Sequence, residues 1–175
     1  LFSLIPIGTP YFRVALLSAF AMAVSAVLLF LWVNSETLPR RNNFAGAVIA
    51  AILWGTSPLI WSQAVIVEVY ALQSFFVISG LWWITTIQRD RERRYEWLLL
   101  WLFTFLLGLS IGNHLTIFLM FPFYGFILIR NWKNFTSNQK ISLLFIFFLG
   151  AGIYSLLPLR AKAYPPINWG NPKDW

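Results

Sequence analysis

Three side chains in this sequence have the chemistry to hold a charged or hydroxylated ligand, and each sits in apolar surroundings. Glu68 lies in WSQAVIVEVYAL, with Glu36 and Asp90 as the nearest other acids. His114, the sole histidine, lies in GLSIGNHLTIFLMFPF, and Arg160 stands two residues after Pro158 at the end of an apolar run. A carboxylate can orient a hydroxyl, an imidazole can hydrogen-bond a phosphate or a sugar hydroxyl, and a guanidinium suits a bidentate phosphate contact. Each has a plainer reading. An acid at a helix N-terminus gains roughly 0.3–1 kcal/mol from the helix dipole. An acid in mid-bilayer costs about 2.5–3.5 kcal/mol and usually faces a cavity or a partner. His114 suits a capping turn in which Gly112 loosens the chain and Asn113 caps the next helix. Arg160 can snorkel to the interface, where Tyr164, Trp169 and Trp175 serve as anchors.

The elements that must position these groups are membrane helices. Of 175 residues, 59% are hydrophobic and 11% charged, too little polar surface to cover a soluble domain. Since about 20 apolar residues cross the hydrocarbon core, the pattern predicts an all-α, polytopic transmembrane bundle of about six spans. These fall near 12–33, 44–62, 68–88, 95–112, 114–130 and 139–158. The short joints at 63–67 and Asn113 predict antiparallel hairpins, and residues 1–175 form one helical membrane unit. The absence of cysteine excludes disulfides, thiol nucleophiles and zinc–cysteine sites. One histidine and six carboxylates argue against an all-protein metal site, and no cofactor is expected. There is no Gly-rich phosphate loop and no suggestive Ser/His/Asp order.

The formal charge of +7 reports topology, not nucleic-acid binding. Arg40, Arg41, Arg89, Arg91, Arg93, Arg94, Arg130, Lys133 and Lys140 fall in alternate connections, whereas Arg13, Arg160, Lys162 and Lys173 fall on the other side. Nine cations against four put the first set in the cytoplasm. The outer side then collects the segment LFSLIPIGTPYF, the turn at Glu68, the turn at Asn113–His114 and the C-terminal tail. Glu68 and Asp174 are the only carboxylates there, and the sequon at Asn134 faces the cytoplasm and stays unglycosylated.

Three stretches, WSQAVIVEVYALQSFF, GLSIGNHLTIFLMFPF and LPLRAKAYPPINWGNP, together resemble a family of multi-span proteins long labelled a domain of unknown function. That family is now grouped with the GT-C protein O-mannosyltransferases. The resemblance implies a membrane glycosyltransferase that takes a sugar, mannose by family, from a polyprenyl-phosphate donor. It would attach the sugar to a hydroxyl acceptor on a protein or glycan at the outer or lumenal face of a bacterial inner membrane or the ER. Such enzymes carry an acid in the first outer loop. The chain begins after that point, so it is read as a fragment, inactive alone, whose base lies upstream. The roles that follow give His114 and Arg160 the donor phosphate and make Glu68 a supporting catalytic group. Tyr70, Asn113, Asn168 and Trp169 would form the substrate rim. A transporter would instead use the acid and histidine as a proton relay and show paired broken helices; a non-catalytic membrane subunit would need no outer cluster.

Overall fold

The computed structural model describes residues 6–35, 43–89 and 96–163, and every regular element among them is helical, as the composition predicts. The chain divides into two compact units, Leu1–Glu92 and Arg93–Trp175.

The first unit holds α1 (Pro10–Ser35), α2 (Phe44–Thr56), α3 (Pro58–Ala64) and α4 (Val69–Arg89). Proline is suited to the first helical position of α1, where no N–H is needed, and the Thr9 hydroxyl accepts from the Phe12 N–H at 3.2 Å. The buried residues of α1 are Ser18, Ala21, Met22 and Ser25, spaced by three and four so that they share one face. The small side chains of Ser18, Ala21 and Ser25 let neighbouring backbones come close, and α1 packs against α2, α3 and, most extensively, α4. Ala47 of α2 and Ala71, Gln73, Phe76, Ile78, Ser79 and Ile84 of α4 are also buried in this core. The buried hydroxyls of Ser25 and Ser79 donate to the Ala21 and Phe76 carbonyls at 2.7 and 3.1 Å. They are satisfied within their own helices.

The predicted second span, 44–62, is broken: α2 and α3 meet at 61°. Pro58 supplies no N–H, and its ring disfavours the helical conformation at Ser57, which sits at φ −59°, ψ 128°.

The second unit holds α5 (Glu96–Ile111), a 3-10 helix Leu115–Met120, α6 (Phe121–Asn131), a 3-10 turn Trp132–Asn134, α7 (Ser137–Ala151), a 3-10 turn Gly152–Ser155 and α8 (Leu156–Lys162). Glycine joins α5 to α7. A Cβ at Gly108 would overlap the Phe147 carbonyl oxygen and reach 2.9 Å from the Ala151 nitrogen. One at Gly150 would overlap the Phe105 carbonyl. The two backbones therefore touch with no side chain between them. Tyr124 of α6 packs edge-on against Phe103 of α5 at 5.4 Å between ring centroids. At the start of α7, Thr136 and Gln139 form a reciprocal capping box, which occupies the hydroxyl of the sequon at Asn134. Lys140 lies 5.1 Å over the Trp132 ring, an arrangement suited to an interfacial cation.

Among the described residues, three helices are long and apolar enough to cross a membrane: Tyr11–Ser35, Val69–Thr86 and Ser137–Lys162. The bent α2–α3 pair is a fourth if counted as one span. Trp97–Ile111 and Leu115–Arg130 are shorter apolar helices, so the expected six full spans are not confirmed. Pro122, near the start of α6, explains part of the shortfall. It cannot donate to Phe118 and its ring would clash there, and residues 115–120 before it tighten into 3-10 geometry.

Candidate functional site

In the first unit Glu68 is the last residue of a short non-helical stretch and immediately precedes α4. It is exposed, and so are Val65, Val67, Val69 and Tyr70 around it. The run that looks buried in the sequence is therefore uncovered by the unit itself. Its carboxylate stands at the positive end of the α4 dipole, a favourable place for an anion. Tyr70, two residues on, lies in the first turn of α4 and is 50% exposed.

In the second unit the end of α5 closes tightly, with the Asn113 and His114 N–H groups both donating to the Ser110 carbonyl at 3.1 and 3.3 Å. The capping expectation needs correction. The N-cap is His114, not Asn113, and what it caps is the 3-10 helix at 115–120. His114 is extended, at φ −159°, ψ 134°, which aims its ring at the N–H two residues ahead. The Thr116 N–H donates to His114 Nδ1 at 3.2 Å, and the Thr116 hydroxyl lies 2.8 Å from the same atom. A backbone N–H can only donate, so Nδ1 accepts and the proton of the neutral ring belongs on Nε2. His114 in this state presents a donor, not a base.

Gly112 fixes where this turn sits. A Cβ there would come 2.8 Å from Ile153 Cγ2 and 3.4 Å from Tyr154 Cδ2. The turn thus packs on the 3-10 segment that leads into α8. Arg160 is exposed in the last turn of α8, where a cation is favoured by the dipole. It lies six residues beyond Tyr154, roughly 9–10 Å along the axis at about 1.5 Å per α-helical and 2.0 Å per 3-10 residue. The second unit brings Asn113, His114 and Arg160 to one end, with Arg160 the outermost. Asn168, Trp169 and Asp174 lie outside the described residues.

Sequence reasoning overlooked two features. One is the glycine contact, signalled by the Gly-x-x-x-Gly spacing of GLSIG, 108–112. The other is Arg13, whose guanidinium donates through Nε to the Ile7 carbonyl at 2.8 Å and through Nη2 to the Gly8 carbonyl at 3.0 Å.

Residues 1–137 match the family described as the protein O-mannosyl-transferase TMEM260 N-terminal domain. The chain belongs to this family. Among curated relatives, the protein O-mannosyl-transferase TMEM260 of Mus musculus is 30% identical over 168 residues, covering 91% of this chain and 22% of the relative. The protein O-mannosyl-transferase tmem260 of Dictyostelium discoideum is 24% identical over 173 residues, covering 91% of this chain and 20% of the relative. The chain thus spans about a fifth of the length of these relatives. No solved structure matches it. The match to the TMEM260 N-terminal domain includes Glu68, Tyr70, Asn113 and His114 and stops short of Arg160.

Proposed function

We propose that this chain is part of a membrane glycosyltransferase that moves mannose from a polyprenyl-phosphate donor to a protein hydroxyl on the outer or lumenal face. The observation that carries the reading is the match of residues 1–137 to the TMEM260 N-terminal domain, with curated relatives named as protein O-mannosyl-transferases. The positive-inside asymmetry supports the choice of face.

In this reading the acceptor oxygen attacks the anomeric carbon as the bond from that carbon to the phosphate oxygen breaks. The acceptor proton goes to a general base, and polyprenyl phosphate leaves with the bonding electrons. Charge grows on the phosphate as it departs, so donors aimed there stabilise the transition state more than the ground state. Arg160 supplies a fixed cation and His114 supplies Nε2–H. In this reading His114 does not serve as the base, which is supported by Nδ1 accepting from the Thr116 N–H. The base falls to an outer-loop acid of the kind the family resemblance implies, and Glu68 orients sugar hydroxyls. Tyr70 in the first unit and Asn113 in the second are the substrate-contacting side chains in this reading.

The broken α2–α3 pair is the one feature that favours a transporter. That class pairs such breaks in related halves, and a single one is found among the described residues.

The test uses membranes containing the complete protein, polyprenyl-phosphate mannose and a serine- and threonine-containing peptide. Mannosyl peptide and free polyprenyl phosphate should form in equal amounts. Transfer from a nucleotide mannose with no lipid intermediate would refute the donor, and proton-coupled uptake without transfer would refute the enzyme.

A further inference from the structure

The first eight described residues contain a device that the site assignment does not use. Pro6–Thr9 forms an exposed elbow before α1. Gly8 is left-handed at φ +57°, and a Cβ on it would lie 2.7 Å from Phe12 Cδ1. An L side chain there would be both strained and crowded. Thr9 begins α1, accepting from the Phe12 N–H with its hydroxyl and from the Arg13 N–H with its carbonyl at 3.1 Å. Arg13 then folds back over the elbow, its Nε and Nη2 donating to the successive carbonyls of Ile7 and Gly8. A cation in the first turn of a helix stands at the unfavourable end of the dipole. Here it completes carbonyls that a left-handed turn leaves without helical partners. The planar fork spans two adjacent acceptors, which a lysine ammonium reproduces poorly.

The connectivity puts this elbow with Glu68. α1 packs against α2, α3 and α4, and consecutive spans joined by short connections alternate in direction, so with α2–α3 taken as one returning span α1 and α4 run the same way. The N-termini of α1 and α4 therefore lie at one end of the unit. We infer that Arg13 is a positioning residue: it latches the Pro6–Thr9 elbow into a fixed rim at the end of the first unit that carries Glu68 and Tyr70. The rim narrows the approach of the lipid-linked sugar without touching the reacting atoms. This rests on reading that end as the sugar-transfer face.

The test has one readout for the latch and another for its role. Residues 1–175 contain no cysteine, so Ile7→Cys in the complete membrane-embedded protein, with any cysteine outside these residues replaced by serine, gives a unique spin-label site. Arg13→Gln and Arg13→Lys should both loosen the label, and Gly8→Ala should change its spectrum with Arg13 intact. In unlabelled protein the same three variants should raise KM for polyprenyl-phosphate mannose by about three- to tenfold while kcat stays within about twofold, the signature of lost ground-state and transition-state binding alike. An unchanged label spectrum in both Arg13 variants would overturn the latch. A loosened label with unchanged KM, or a fall in kcat alone, would reduce Arg13 to a structural role and overturn the rim. Wild-type protein that transfers no sugar would instead sink the sugar-transfer reading and the rim's assignment with it, while the label would still decide the latch.

Discussion

Replacing Gly108 with alanine adds a single methyl group at the point where α5 and α7 are closest. That methyl would overlap the Phe147 carbonyl oxygen and press on the Ala151 nitrogen at 2.9 Å. Both neighbours are backbone, so no rotamer change relieves the contact and the helices must separate along the crossing. Overpacking of this kind costs about 1–3 kcal/mol. Alanine also recovers about 1 kcal/mol of helix propensity relative to glycine, so the bare comparison with wild type understates the strain. Gly125→Ala in α6 is the matched control, because a Cβ there meets nothing within 4 Å. Propensity cancels between the two variants and leaves the full overpacking term. At about 2 kcal/mol the folded-to-unfolded ratio should differ by roughly 30-fold. Denaturant unfolding of the purified protein in detergent micelles measures that difference, with Gly125→Ala at or above wild type and Gly108→Ala well below it. Gly150→Ala should behave like Gly108→Ala. Gly112→Ala should be milder, since the nearest obstacle is the end of the Ile153 side chain. If Gly108→Ala proves as stable as Gly125→Ala, the backbone contact is not what holds α5 to α7.

Glu68→Gln in the complete protein should insert normally, since an amide is cheaper in lipid than a carboxylate, and should lower sugar transfer by about tenfold or more. Activity within a few-fold of wild type at matched protein levels, beside a Glu36→Gln control, would leave Glu68 an interfacial acid. His114→Asn should keep the cap and lose the Nε2–H donor, whereas His114→Ala should lose both and about 1 kcal/mol of stability. Equal activity in His114→Asn and wild type would remove His114 from the donor site. Arg160→Lys should weaken donor binding because an ammonium cannot form the bidentate contact; unaltered affinity in a binding titration would return Arg160 to a snorkelling anchor. For topology, a cysteine at Asn43 should resist an impermeant thiol reagent added to intact cells and one at Asn113 should react. The reverse pattern would invert the orientation.

Much of the architecture was legible because hydropathy and charge are local sums. Apolar stretches marked where helices form, proline and polar runs marked where they stop, and the distribution of thirteen cations supported one orientation. Glu68 could be placed at a helix start from its surroundings alone, and three short motifs carried the family. The tertiary structure decided matters that depend on rotation and side-chain direction. Pro58 was visible, but hydropathy is blind to the angle between consecutive helical segments, and the 61° bend emerged only in space. Asn113 and His114 are both polar neighbours at a helix end. Which one caps was fixed by the extended backbone at His114, which brings Nδ1 to the Thr116 N–H. GLSIG announces two glycines four residues apart at the end of α5. Only the packed pair shows that Gly108 meets the backbone at Phe147 while Gly112 meets side chains. Arg13 counts in the sequence as one outer-side cation, yet its forked hydrogen bond depends on the left-handed turn at Gly8 folding two carbonyls within its reach. A sequence carries the propensity of each residue, but a steric fit or a forked hydrogen bond exists only once separate segments have fixed each other's positions.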